Sequence, residues 1–324
     1  MLALTRRSAV LSAVAAAMLP GAEAQAQAPH FSNYGRAPEF VGISHWLNSP
    51  PLTMAGLRGK VVLIDFWTYS CINCLRTLPY VTRWYNTYKD KGFVVVGVHT
   101  PEFAFEHLTA NVQRAIKRFG IHYPVAQDNS YATWQAYSNE YWPAEYLINQ
   151  KGEIVLEHFG EGRYSEMENA IRSLLSLNAA MPADNGMNLS GIGSPEMYFG
   201  LARVAMLGSP EPPRPGEADY TAPAHLPLNQ FALVGTWNLS DEKATLAKDG
   251  GSVQLHFHSA KVYMVASSPT PVTLGISVDG KPQKPVTVQQ SQLYTLFNSD
   301  DYSDHMLTVT VPKAGFQAFT FTFG

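Results

Sequence analysis

The stretch KVVLIDFWTYSCINCLRTLP, Lys60 to Pro79, decides the reading of the chain, because it holds both of its cysteines. Val61 to Phe66 is a short apolar run rich in β-branched residues, the pattern of a strand buried on both faces. From Cys71 the spacing turns helical, which puts Cys71 at a helix N-terminus and Cys74 one turn further on. The helix dipole and the free backbone N–H groups there stabilise a thiolate at the first sulfur. The second lies on the same helical face, within reach of a disulfide. Zinc would need further ligands, and the chain has no second cysteine pair and only scattered histidines. A purely structural disulfide across so small a loop would restrict the unfolded chain little. The expectation is a redox dithiol at a strand-to-helix junction.

More than the cysteines then carries a family resemblance. Asp65 stands six residues before Cys71, Phe66 and Trp67 follow it, and Pro79 lies five after Cys74. In these positions the segment resembles thioredoxin, which implies a buried acid at Asp65 and a helix kinked at Pro79. The order A-P-E-F from Ala37, then L-R-G-K from Leu57 into the strand, resembles the exported TlpA- and ResA-related branch. Further on, Tyr141-Trp142-Pro143-Ala144-Glu145-Tyr146-Leu147-Ile148 matches the family's x-Pro-x-x-x-Leu-Ile element. The match implies a cis peptide before Pro143, with backbone groups facing disulfide and substrate; an ordinary trans proline opening a strand is the alternative.

The chain also departs from thioredoxin. Ser70 stands where thioredoxin has Trp, Ile72-Asn73 where it has Gly-Pro, and the bulky Trp142 precedes the proline. With those departures, W-T-Y-S-C-I-N-C-x-R, G-V-H-T-P-E-F and Y-W-P-A-E-Y-L-I are similar to the thioredoxin-like part of DipZ-type proteins. There a membrane electron-transfer domain precedes it. The resemblance implies Trp67, Trp142 and Pro143 at the substrate groove, and a separate membrane thiol-electron transporter as electron donor.

A chain of 324 residues, 46% hydrophobic with net charge −3, suggests two domains and gives no reason to expect nucleic acid binding. Residues 1–28 read as a signal peptide. Thr5-Arg6-Arg7-Ser8 precedes an apolar run from Ala9 to Leu19 and overlapping small-x-small triplets up to Ala28. The paired arginines resemble a twin-arginine signal, with an ordinary Sec signal as the alternative. Either implies export, with the periplasm of a Gram-negative bacterium as the expected compartment.

Residues 29–180 are expected to form the thioredoxin-like α/β domain with an inserted helix. Its elements are a short antiparallel leading piece between Ala37 and Lys60 and a second buried parallel strand at Phe93–Val98. An inserted helical segment at Phe103–Phe119, an edge strand at Pro124–Asp128 and a helix at Ala132–Asn139 follow. A hairpin turning at Asn149–Gly152 and a helix at Tyr164–Leu177 close the domain. Because the first two long strands are parallel, His99 should emerge at the sheet edge that carries Cys71, where ligands gather in open α/β sheets. His99 and Glu102 are either groups that tune the thiols or an ordinary loop histidine and a helix-capping glutamate.

The implied chemistry makes Cys71 the nucleophile and Cys74 the resolving thiol, with Asp65 accepting the Cys74 proton. The Cys71–Cys74 disulfide is itself the redox group, and no further cofactor or metal is expected. No charge or histidine lies between the cysteines, which favours a reductant over an oxidant. Thr68, three before Cys71, echoes the T-x-x-C of peroxiredoxins, so thiol peroxidase is the alternative chemistry; Ile64 stands where that motif has proline. A third reading keeps the scaffold and drops the chemistry, leaving a glycan- or protein-binding module. Substrates of the first reading are protein disulfides, such as those of apocytochrome c, a secreted cysteine protein or a copper-site assembly factor.

Residues 181–224 are rich in Pro and Gly and are expected to be a linker, with a short helix in Ser194–Arg203. From 225 to 324 the period is two, as in Val253–His258, Val272–Val278 and Met306–Val311, with a turn signal at Asp279-Gly280. This predicts an antiparallel β-sandwich. The pattern V-x-L-x-F-x-x-x-x-V-Y-M-V, I-S-V-D-G-K and L-T-V-T-V resembles jelly-roll, carbohydrate-binding-type modules. The DipZ resemblance runs through it to the terminal F-T-F-T-F-G. Trp237, Tyr263, Tyr294 and Tyr302 are either sugar-stacking platforms or core, and a docking role for a protein partner is the alternative. His256 and His258 share a strand face, with no third metal ligand in view.

Overall fold

The computed structural model describes residues 31–177, 184 and 186–324, so the expected signal peptide lies outside the described residues. The first domain runs β1 (His45–Leu47), β2 (Val61–Trp67), α1 (Ile72–Tyr88), β3 (Phe93–His99), α2 (Thr109–Phe119), β4 (Val125–Gln127), α3 (Ala132–Ala136), β5 (Ala144–Ile148), β6 (Ile154–Phe159) and α4 (Tyr164–Leu174). The sheet order is β1-β4-β3-β2-β5-β6. β2 pairs parallel with β3 and antiparallel with β5, and every one of its residues is buried. That burial on both faces explains its unbroken apolar run. Val61, Leu63 and Trp67 face one core with Leu78, Val81 and Trp84 of α1, while Val62, Ile64 and Phe66 face a second with Trp134 and Tyr146.

Two expectations for this domain change. The strand at 125–127 is not at the edge, because β1 from the leading segment pairs outside it, Trp46 opposite Ala126. The leading piece thereby covers backbone groups that an edge would expose. The inserted segment is also not one helix. Glu106 accepts hydrogen bonds from the N–H groups of Glu102 and Phe103, which closes a short 3₁₀ turn at Ala104–His107 before α2 begins.

The second domain contains β7 (Met197–Tyr198), β8 (Gly216–Tyr220), β9 (Gln230–Leu239), β10 (Ala244–Leu246), β11 (Gly251–His258), β12 (Lys261–Ser267), β13 (Val272–Val278), β14 (Lys281–Pro282), β15 (Val286–Val288), β16 (Gln292–Asn298), β17 (Asp304–Val311) and β18 (Gln317–Phe323). All its strand pairings between these elements are antiparallel. The long strand β9 joins two layers, pairing with β11 through its first half and with β10 and β8 through its second. Gly235, at φ +100, sits where it changes partners, and a Cβ there would come within 3.2 Å of the Gly251 backbone. Between the layers lies a core that includes Leu255, Phe257, Met264, Val309 and Phe321.

The helix expected in Ser194–Arg203 is a strand instead: Met197 and Tyr198 pair with Phe321 and Thr320, and a turn follows. Met197 and Phe199 are drawn into the apolar core, and so short a helix has little intrinsic stability to oppose that. β8 likewise pairs with β9, so part of the expected linker is built into the second domain.

The two domains share an apolar seam. Ile72, Phe103, Val265, Leu293 and Phe319 form a buried cluster, with Leu75, Phe105, Tyr198 and Tyr263 against it. Glu102 pairs with Arg203 at 2.7 Å and accepts from Tyr198 Oη at 2.9 Å. Arg76 donates to both oxygens of Glu161, to Asn73 Oδ1 and, at 3.4 Å, to the carbonyl of Phe323 in β18.

Candidate active site

β2 delivers the chain to the top of the sheet, where Cys71 becomes the N-cap of α1. Cys71 Sγ accepts the N–H of Cys74 at 3.4 Å, so a backbone donor points at the first sulfur. The two thiols are unbonded to each other; Cys71 is half-buried and Cys74 buried. The Trp142–Pro143 peptide is cis, and the Trp142 carbonyl lies 4.0 Å from Cys71 Sγ. The half-buried Cys71 sulfur therefore faces a backbone acceptor of the kind an extended substrate segment uses.

Beneath the cysteines the site is buried and ionisable. Burial, first of all, raises the Cys74 thiol well above its ordinary value, and its hydrogen bond to Cys71 adds to this. Asp65 is 1% exposed and has no hydrogen-bond partner among the described residues, and burial lifts its carboxyl from 3.8 to about 7. A carboxyl with that value can hold or release a proton at neutral pH.

The other expected residues fall in different places. Trp67 is fully buried under the site and touches no groove, because it faces the α1 side of β2 within the core. Trp142 is half-buried beside Cys71 and packs on Trp134, with ring centroids 4.2 Å apart. His99 ends β3 opposite Trp67, fully buried, and stacks on Tyr69 at 5.7 Å. Thr68 Oγ1 lies 3.5 Å from its Nε2. Burial drops His99 to about 3, so it is a neutral core histidine and no loop residue. Glu102 binds the second domain through Arg203 and Tyr198, and among the described residues no hydrogen bond or ion pair ties it to the thiols.

Sequence reasoning missed the acid that does sit behind the motif. Glu106 is fully buried and accepts from Ser70 Oγ at 2.6 Å, one residue before Cys71. Burial raises its carboxyl to about 7, against the pull of its hydrogen bonds. It was also blind to Glu145, buried on β5 directly opposite Asp65. A charged residue at an inward position of an otherwise apolar strand was the available signal.

In the second domain, Trp237 is fully buried core and offers no face to a sugar. His256 Nδ1 contacts the Leu226 carbonyl and His258 Nδ1 pairs with Asp304, so each histidine has a local partner.

A sheet that ends in a helix-capping cysteine, with a buried second cysteine and a cis-proline alongside, defines the thioredoxin-like redox proteins. Residues 24–175 match the Redoxin family, and residues 194–324 the family described as Thioredoxin like C-terminal domain. Protein DipZ of Mycobacterium bovis is 41% identical over 313 residues, covering 92% of this chain and 44% of that protein. The chain thus spans less than half the length of this relative. Thiol-disulfide oxidoreductase YkuV of Bacillus subtilis is 31% identical over 125 residues, covering 39% of this chain and 82% of YkuV. Among solved structures, the solution structure of a thioredoxin-like protein in the oxidised form is 29% identical. It covers 44% of this chain and 95% of its own at a TM-score of 0.41. The chain belongs to the thioredoxin-like thiol–disulfide oxidoreductases and is related to DipZ.

Proposed function

We propose that the protein reduces disulfides in exported proteins by dithiol exchange through Cys71 and Cys74. The observation that carries this is the pairing of a half-exposed Cys71 sulfur, beside the cis Trp142–Pro143 bond, with a buried Cys74 above an unpartnered Asp65. Cys71 attacks the substrate disulfide and forms a mixed disulfide. Cys74 then loses its proton toward Asp65 and displaces the substrate sulfur, leaving Cys71–Cys74 oxidised. No further cofactor enters the scheme. The motif at residues 1–28 supports export to a periplasm, and the DipZ relation supports a membrane thiol-electron transporter as donor. Cytochrome c maturation is the proposed setting, and the second domain the proposed docking module for a protein or glycan partner.

The first test is the reduction potential of the pair, with Cys71→Ser as control. A value near about −270 mV marks a reductant, and one near about −120 mV would overturn the proposed direction. Exchange that survives Cys71→Ser would overturn the site itself.

A further inference from the structure

Five carboxylates are buried among the described residues: Asp65, Glu106, Asp128, Glu145 and Glu168. Three are engaged. Glu168 accepts from Arg83, Trp84 Nε1 and Tyr88 Oη. Glu106 accepts from Ser70 and two backbone N–H groups, and Asp128 from the N–H groups of Thr133 and Trp134. Asp65 and Glu145 have no hydrogen-bond partner on either oxygen. Acids kept for structure are satisfied in this protein, so the two that are not call for another explanation.

Their placement supplies it. Asp65 and Glu145 are direct cross-strand neighbours, so their side chains leave the same face of the sheet about 5 Å apart at Cβ. The row continues in both directions, with Gly97 of β3 opposite Asp65 and His158 of β6 opposite Glu145. At Gly97 it is closed, since a Cβ there would lie 2.9 Å from the side chains of Trp67 and Tyr123. At His158 it reaches the rim of the sheet: β6 is the outermost strand, His158 is 9% exposed as a whole, and its Nε2 is buried with no hydrogen-bond partner among the described residues. A line of ionisable groups thus runs from beneath Cys74 to the sheet edge.

We infer that Glu145 is a second proton carrier of the dithiol reaction, passing the Cys74 proton from Asp65 to His158 and so to solvent. The inference rests on Cys71 and Cys74 being the redox pair. Two adjacent buried carboxylates do not both ionise readily, and burial with Asp65 alongside raises Glu145 well above its ordinary value, so at rest the pair carries one proton, on Glu145. In the mixed disulfide the Cys74 S–H bond breaks, and its proton joins the pair as a second. Cys74 sulfur then bonds to Cys71 sulfur, and the substrate sulfur departs with the electrons of the broken S–S bond. One proton moves from Glu145 to the His158 imidazole, which takes it at the buried Nε2 and gives one up from the ring at the sheet edge, while the substrate thiolate takes a proton from solvent. Two electrons have passed from the dithiol to the substrate, and no proton is lost. When an electron donor reduces the pair, the line runs inward.

The other groups that face the row fit this role. Tyr164 from α4 is held by Thr77 Oγ1 at 3.2 Å, and burial raises it to about 12. Tyr123, ahead of β4, is raised well above its ordinary value by burial. Both stay neutral near pH 7. Around His158 stand Arg163, Glu161 and Glu166; burial and Arg163 lower its affinity for a proton, so it hands one on rather than keeping it.

The test follows both steps by stopped flow, mixing the reduced full chain with a disulfide-bonded peptide between pH 5.5 and 9. The proteins are wild type, Glu145→Gln, His158→Gln, the double variant and Cys71→Ser. Each single change should slow release of the second thiol about tenfold near pH 7, below the full range of general acid–base effects. Mixed-disulfide formation should stay within about twofold, since it needs no Cys74 proton. The double variant should be no slower than Glu145→Gln, and in that variant the basic limb of the profile should move to lower pH. Release rates and pH profile superimposable on wild type would overturn the relay, as would single effects that multiply in the double variant. If Glu145→Gln lost cooperative melting, His158→Gln at the sheet edge would decide alone, and unchanged release would overturn the relay. Exchange persisting in Cys71→Ser would instead overturn the redox reading.

Discussion

Asp65→Asn should make the protein more stable and less active at once. The carboxyl sits at about 7 in the fold against 3.8 unfolded, a difference of about three units. At about 1.4 kcal/mol per unit, that is about 4 kcal/mol as an upper limit. The sign follows from proton counting. Between pH 4 and pH 7 the folded protein binds more protons than the unfolded chain, so stability falls as pH rises through this window. Asn carries no such dependence and keeps the shape. The variant should therefore be about 2–4 kcal/mol more stable than wild type at pH 8, and close to it at pH 4. For a domain of this size the gain is about 5–15 °C in the melting midpoint, read by circular dichroism at the two pH values. Release of the second thiol in single-turnover exchange should fall about 100-fold, since the Cys74 proton loses its acceptor. A variant less stable than wild type at pH 8 would refute the reasoning, because it would mean that Asp65 makes hydrogen bonds the fold needs.

Glu106→Ala strips an acceptor from Ser70 and from the N–H groups of Glu102 and Phe103. At about 1–3 kcal/mol for each buried donor left bare, chemical denaturation should show a loss of several kcal/mol. Arg203→Ala leaves Glu102, which is 10% exposed, with Tyr198 alone across the seam. Because Arg203 is itself 40% exposed, the loss should be about 1–2 kcal/mol, seen as faster proteolysis between the domains. Ile72→Ala should weaken the same seam by about 2–4 kcal/mol through the cavity it opens, again read by proteolysis. Trp237→Ala removes the largest fully buried side chain of the second domain and should cost about 3–5 kcal/mol, read by chemical denaturation.

Local patterns made much of the fold legible. The apolar run of β2, the N-cap cysteine and the hairpin of β5 and β6 each depend on residues close in sequence. What escaped depends on register and on distant partners. Asp65 could be picked out along β2, but that Glu145 lies opposite it follows only from the pairing of β2 with β5. His99 looked like a loop residue because its stacking partner Tyr69 comes from the loop that follows the neighbouring strand β2. Glu102 looked like a helix cap because Arg203 lies 101 residues further on. The strand at Met197–Tyr198 escaped for the same reason: its partner is β18.

The seam around Ile72 has a consequence for which proteins can react. Ile72 stands between the two cysteines, and the second domain packs against it through Val265, Leu293 and Phe319. One flank of the reactive sulfur is therefore a wall, and the free approach is past Trp142 and Pro143. A folded protein with its disulfide on a flat surface would meet that wall if it approached from this side. A disulfide carried on a loose or projecting strand would not. On the proposed exchange chemistry this wall predicts that an unfolded chain exchanges faster than its folded form bearing the same disulfide, read by the rate of mixed-disulfide formation.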